Sequence, residues 1–242
     1  MKMSANPTNL NEILQLARDM SAQNMRTLAV FDLDSTLFNV STRSQKILHE
    51  FAATHQHEVL KNIEVQYTDW GIKEALFRHG YTVEKDIEFL KTVRDFWSER
   101  FFSSEYIHYD VPYTGAITFV QELEARGVEI QYLTGRDHLR MRKGSVEVLK
   151  KWGFPLKSES DLHMKPEKNQ DDELYKLEWF KKLDAKPYSQ IYFFENEPIN
   201  INAVLDLRMP VHVVYLDTTH SRKQNVSPDI MTIQGYSRNS SC

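Results

Sequence analysis

Four short apolar runs without polar alternation constrain this chain most. They occupy residues 27–31, 128–133, 190–194 and 211–216. A strand with one wet face alternates apolar and polar side chains, whereas an unbroken run suits a strand covered on both faces of a parallel sheet. Helical periodicity fills the gaps at 116–126, 139–152, 172–183 and 200–206. Strands alternating with helices predict an α/β fold with a parallel sheet. A further amphipathic helix is expected over 8–25, with Leu10, Ile13, Leu14, Ala17 and Met20 on one face and Thr8 or Asn9 as its cap. Gly127 suits the left-handed residue that ends the helix before it.

One segment breaks the alternation. Residues 41–110 contain no buried strand pattern and read as helices at 44–55, 58–78 and 83–102. They predict a helical insertion in the α/β core. Its aromatic residues Phe89, Phe96, Trp97, Phe101 and Phe102 are expected to pack inside it. The polar end, 221–242, predicts a short strand at 231–233 and a disordered stretch at 237–242.

Composition narrows the function. With 242 residues, 41% apolar and 26% charged, the chain is an ordinary globular one. Extended disorder, collagen-like repeats and disulfide scaffolds are excluded. A formal charge of −4 brings no overall attraction for nucleic acid or anionic membranes. The single cysteine, Cys242, has no internal disulfide partner and suits a reducing compartment. No apolar stretch of about 20 residues is present, and the first residues lack a signal-peptide pattern. The expectation is a cytoplasmic protein without a membrane partner; composition leaves the oligomeric state open.

Chemistry is concentrated where the apolar runs end. The first run leads into Asp32-Leu33-Asp34-Ser35-Thr36-Leu37. Residues i and i+2 of extended chain point the same way, so Asp32 and Asp34 are expected to face one site while Leu33 turns into the core. Two close carboxylates repel unless a cation or a proton intervenes. The second run ends in Thr134-Gly135-Arg136, a hydroxyl and main-chain N–H groups able to hold phosphoryl oxygens. Two lysines follow, Lys165 after a short apolar stretch and Lys176 near a helix start. Either ammonium suits a site that gathers negative charge. The third run ends in Glu195-Asn196-Glu197-Pro198, an oxygen-rich terminus of the kind Mg²⁺ uses.

In this order the elements resemble the motifs of the haloacid dehalogenase-like (HAD) superfamily, over residues 27–216. The resemblance implies a Rossmann-like parallel sheet core with an inserted all-helical cap of the first type. The core takes residues 1–40 and 111–242, the cap takes 41–110, and 221–242 forms a partly disordered tail. It implies a Mg²⁺-dependent phosphomonoester phosphatase with Asp32 as nucleophile and Asp34 as general acid and base. Thr134, Gly135 and Arg136 would bind the phosphoryl group, and Lys176, or else Lys165, would be the catalytic lysine. The metal would be held by Asp32, the main chain of Asp34 and Glu195, with Asn196 or Glu197 orienting. Glu195-Asn196 departs from the paired Asp, or Asp-Asn, that the family carries there. That departure keeps a phosphate-ester-binding protein with little catalysis as an alternative. The Met164-Lys165-Pro166 and Lys176 pattern resembles polynucleotide-type phosphatase domains, a nucleic-acid alternative that the net charge disfavours. The substrate expected is a small-molecule phosphate ester.

Overall fold

The first apolar run becomes the middle of the sheet. In the computed structural model, which describes residues 7–238, α1 (Leu10–Ala22) leads into β1 (Arg26–Phe31). The insertion follows as β2 (Phe38–Asn39), α2 (Ser41–Thr54), a 3-10 turn (Glu58–Asn62), α3 (Lys73–Arg78), α4 (Val83–Phe101), α5 (Ser104–Ile107) and β3 (Val111–Pro112). The remainder runs α6 (Ala116–Ala125), β4 (Glu129–Asp137), α7 (His138–Trp152), β5 (Leu162–Lys165), α8 (Asp172–Lys182), β6 (Tyr188–Glu195), α9 (Pro198–Asp206), β7 (His212–Leu216) and β8 (Met231–Ile233). Asn9 caps α1 through its side chain, which accepts from the Glu12 N–H.

Six parallel strands form one sheet in the order β5-β4-β1-β6-β7-β8. Alternate residues of the unbroken runs feed opposite faces. Phe31, Tyr132 and Phe194 join Leu14 and Phe119 on one side. Val30, Leu133 and Phe193 join Phe180 and Ile201 on the other. Each fully buried side chain of this kind contributes roughly 1.5–3 kcal/mol, which is why the runs need no polar alternation. The chain steps outward from β1 through β4 to β5, then returns to β6 on the opposite side. Open α/β sheets hold ligands at the carboxyl ends of the strands where the order reverses in this way. Here the reversal lies around β1, between β4 and β6.

Between β2 and β3, which pair antiparallel through Phe38↔Pro112 and Asn39↔Val111, the described elements are all helical. Phe51 of α2 packs edge-on against Phe96 and Phe89 of α4, at 5.2 and 6.0 Å between centroids. The expected helix over 58–78 is broken. Leu60, Ile63 and Val65 are buried with Glu64 exposed between the last two, a spacing of two that suits extended chain. The Asp69 carboxylate then accepts from the Gln66 N–H and pairs with Arg78, closing a turn before α3.

At the chain's end β8 pairs with β7, and Tyr236 is buried beside Phe119. Ser237 and Arg238, expected to be disordered, lie within the described part, and Arg238 pairs with Glu122. The rest of that stretch, including Cys242, lies outside the described residues. Among the described residues no helix is long and apolar enough to cross a membrane.

Gly144 of α7 lies against α5. A Cβ there would meet the Ser104 carbonyl oxygen at 2.5 Å, and the Gly144 N–H donates to Ser104 Oγ at 3.0 Å. Gly144→Ala is expected to cost about 1–3 kcal/mol by overpacking. A urea titration should show a lower midpoint at unchanged slope. An unchanged midpoint would mean that α5 yields without cost.

Candidate active site

The first acidic pair sits where β1 runs out. The Asp32 N–H still donates to Phe194 O at 3.0 Å, so Asp32 prolongs the ladder by one residue. The chain then turns. Leu33 O accepts from the Leu37 and Phe38 N–H groups at 2.9 Å, and Ser35 takes a left-handed φ of 62°. Leu33 is fully buried. The two carboxylates, however, enter separate charge clusters rather than one.

Asp32 joins Lys176 and Glu195. The Lys176 ammonium, carried by α8, donates to Asp32 Oδ1 and to Glu195 Oε2, both at 2.6 Å. All three side chains are buried. Glu195, the last residue of β6, is further held through Oε1, which accepts from the Asn196 and Glu197 N–H groups, and through Oε2, which accepts from Asn200 Nδ2. Two carboxylates against one ammonium leave the trio with one net negative charge in a dry place. Burial raises the Asp32 carboxyl, Lys176 opposes it, and the Glu195 and Asp34 charges push it up again, to about 7. Burial lowers the Lys176 ammonium, but its two carboxylate partners outweigh that and raise it.

Asp34 joins Arg136, Arg43 and Asp110. Arg136, near the end of β4, donates through Nε to Asp34 Oδ1 at 2.9 Å and pairs with the same oxygen through Nη2. Arg43 Nη2 adds a third donor at 3.1 Å. Asp110 closes the ring, accepting from Arg43 Nε at 2.8 Å and from Arg136 Nη2 at 2.7 Å. Two guanidinium and two carboxylate groups make this cluster neutral. Burial favours a protonated Asp34, but Arg136 and Arg43 prevail and hold it down to about 2.

The other residues marked in the sequence surround these clusters. Thr134 is buried in β4, and its Oγ1 accepts from the Arg136 N–H at 3.3 Å. Gly135 packs so closely on the Asp172 carboxylate that a Cβ would collide with it. Lys165 does not reach Asp32. Its ammonium donates to Lys168 O, Gln170 O and Asp172 Oδ1 at 3.3, 2.9 and 2.5 Å, pinning the loop that starts α8. Of the two candidate lysines, Lys176 therefore stands beside Asp32, while Lys165 steadies the helix that carries Lys176. Asn196 accepts from Thr36 Oγ1 and donates to Thr219 O, fastening the first motif to the loop after β7. Glu197 turns away, accepting from the Ser221 N–H and hydroxyl. Sequence reasoning missed Arg43, Asp110 and Asn200. A lone arginine in a helix and a lone aspartate at a loop carry no motif, and only Asn200, five residues after Glu195, lay within reach of a signal.

A hard cation fits this donor set. Among the described residues no cluster of three His, Cys, Asp or Glu side chains is arranged to hold a metal. Asp32 and Glu195 nevertheless supply two buried carboxylates with an uncompensated negative charge. Mg²⁺ binds through one or two carboxylates and keeps several waters. The longer Glu195 side chain is fixed at its own strand end by the Asn196 and Glu197 N–H groups on Oε1.

A family model for the HAD superfamily, subfamily IIIB (acid phosphatase), matches residues 3–194. The chain belongs to this family. The match holds Asp32, Asp34, Thr134 and Lys176 and stops one residue before the unusual Glu195. No curated protein matches the chain. Among solved structures, a protein of Burkholderia xenovorans assigned to the haloacid dehalogenase-like hydrolases is 14% identical, with a TM-score of 0.52 over 88% of this chain and 94% of that one. A protein of Clostridium difficile assigned as a phosphatase is 12% identical, with a TM-score of 0.50 over 79% of this chain and 85% of that one. At these identities the likeness speaks for the α/β HAD-like fold. Family and fold together make this HAD-like chain a hydrolase of the phosphatase class.

Removing one partner from a buried ion cluster costs about 3–5 kcal/mol, because the other charges stay behind. Lys176→Met is therefore expected to destabilise by that order, and adding Glu195→Gln should restore part of the loss. Chemical denaturation of the three proteins checks it. Equal stability of Lys176→Met and the parent would show that the trio is not held as described.

Proposed function

We propose that this phosphatase is a Mg²⁺-dependent phosphomonoester hydrolase working through an aspartyl-phosphate on Asp32. One observation carries the reading: the Lys176 ammonium holds Asp32 Oδ1 at 2.6 Å, while among the described residues no donor bonds Oδ2. Oδ2 is then the atom that attacks phosphorus. The bond from phosphorus to the ester oxygen breaks, its electron pair leaves with that oxygen, and Asp34 supplies the proton that makes it an alcohol. In the second half Asp34 takes a proton from water, the water oxygen bonds phosphorus, and the bond to Asp32 breaks to release orthophosphate. Lys176 stays beside the reacting carboxylate throughout and offsets the charge that gathers there. Thr134 and the Gly135–Arg136 main chain line the phosphoryl side. Asp32 and Glu195 would hold Mg²⁺, which would supply the positive charge that the trio lacks.

Asp34 rests as a carboxylate, the form its second task requires. A phosphate dianion arriving beside it counters the two arginines and raises its proton affinity for the first task. The helical insertion at 41–110 serves as the cap in this reading. It reaches the end of β6 through Thr219, whose Oγ1 donates to Thr68 O at 3.1 Å while its carbonyl accepts from Asn196. Tyr67 and Trp70, on either side of Thr68, are exposed at that rim. The formal charge of −4 favours a small organic ester over a polynucleotide. A cytoplasmic setting belongs to the same reading and rests on the single cysteine. A phosphate-ester binder with little turnover is the second reading, favoured by the two arginines on Asp34 Oδ1.

Turnover of p-nitrophenyl phosphate is expected with Mg²⁺, and loss of nearly all of it after chelation. Asp32→Asn should fall by several orders of magnitude. An Asp32→Asn protein as fast as the parent removes Asp32 as nucleophile. A parent stabilised against heat by phosphate, yet releasing no product, selects the binder.

A further inference from the structure

We propose that Arg43 and Asp110 are positioning residues for the phosphatase reaction: the buried ring they form with Arg136 fixes Asp34 so that one of its oxygens faces the cleft. The inference rests on the reading of Asp34 as the group that passes the proton.

Exposure within the ring is lopsided. The side chains of Arg43 and Asp110 are 0% exposed and that of Arg136 is 1%, whereas Asp34 is 29% exposed. Only the aspartate that would meet the leaving group looks outward. Its Oδ1 takes all three N–H bonds that the ring makes to Asp34, two from Arg136 and one from Arg43. Among the described residues Oδ2 takes none, so this is the oxygen left to carry a proton.

The ring is itself held from behind. Arg43 meets Asp110 in a bidentate pair, Nε to Oδ1 at 2.8 Å and Nη2 to Oδ2 at 2.9 Å. Its Nη1 donates to Phe101 O at 2.8 Å, and its guanidinium lies 4.0 Å from the Phe101 ring centroid. A fork engaged on this many sides has one orientation. Trp152 Nε1 donates to Asp110 O, and Arg136 Nη1 to Ser145 Oγ, so α7 braces the ring as well.

Stability does not account for the ring. Three buried charges and a partly exposed fourth lose hydration at a cost that often cancels their attraction, and apolar side chains of similar volume do as well or better. Direction is what such a ring supplies and apolar packing cannot. Its place in the chain agrees. Arg43 stands just after β2 and Asp110 just before β3, the two crossings between core and insertion. The way the insertion sits is thereby tied to the aim of Asp34.

The test uses the full chain and two substrates. p-Nitrophenyl phosphate has a leaving group that needs little protonation; glycerol 2-phosphate has an alkoxide that needs it fully. Arg43→Lys keeps the charge and loses the fork. Asp110→Asn keeps the shape and loses the charge. Each is expected to lower kcat on glycerol 2-phosphate by the order of 10²-fold, the scale of a misplaced proton donor. On p-nitrophenyl phosphate the first-turnover burst of nitrophenolate, the one step that needs no proton from Asp34, should stay within a few-fold, with KM on glycerol 2-phosphate little changed. In an Asp34→Asn background neither substitution should cost more, because nothing remains to be aimed. A nitrophenolate burst slowed as much as glycerol 2-phosphate turnover, or losses that multiply in that background, overturn the proposal. So does failure of both variants to fold, since the ring then serves stability. The underlying reading fails separately: a parent that turns over neither substrate, or an Asp34→Asn protein as fast as the parent on glycerol 2-phosphate, removes Asp34 from the chemistry whatever Arg43 and Asp110 do.

Discussion

A single ammonium set between two carboxylates in a dry crevice organises this molecule's chemical end. Lys176 comes from α8, Asp32 from the end of β1 and Glu195 from the end of β6, and the three meet only because β1 and β6 are neighbours and α8 packs beside them. The attraction is strong where water is excluded, but so is the cost of exclusion. The balance demands that the elements carrying the three groups be rigid. The strand core supplies this: Phe31 and Phe194, the residues just before Asp32 and Glu195, stack at 4.4 Å between ring centroids. Lys165 supplies it for the helix, by holding the loop that opens α8.

The two charge clusters differ in sign balance. The trio of Asp32, Lys176 and Glu195 carries one negative charge too many, so it has capacity for a cation and a carboxylate whose proton affinity is pushed up to about 7. The ring of Asp34, Arg43, Asp110 and Arg136 is neutral and keeps Asp34 ionised, down to about 2. One stretch of four residues just after β1, from Asp32 to Ser35, thus presents two carboxylates of opposite disposition. Sites that run acid and base chemistry side by side depend on such divergence.

The architecture was legible because burial writes itself into composition. The apolar runs at 27–31, 128–133, 190–194 and 211–216 fall within β1, β4, β6 and β7 or at their borders, since a strand covered on both faces has no reason to alternate. Helices with one apolar stripe were equally plain. The stretch 58–78 was not, because its apolar residues mix a spacing of two with short helical pieces, and the turn that parts them depends on Asp69 finding Arg78 nine residues on. Among the chemical groups, those in short motifs at strand ends could be named. Arg43 and Asp110 could not, since each is an isolated charge whose meaning lies in a partner 67 residues away.

Sequence alone determined the parallel sheet, the helical insertion after its first strand, and the carboxylates, hydroxyl and lysines that belong near the strand ends. These are properties of local pattern: periodicity, and residue type relative to a run's end. Tertiary structure decided which lysine meets Asp32, that Asp32 and Asp34 part into different clusters, and that the insertion's own charges grip Asp34. Such outcomes depend on distances between elements remote in sequence, set by how strands order and helices pack, and no stretch of the chain encodes a distance by itself.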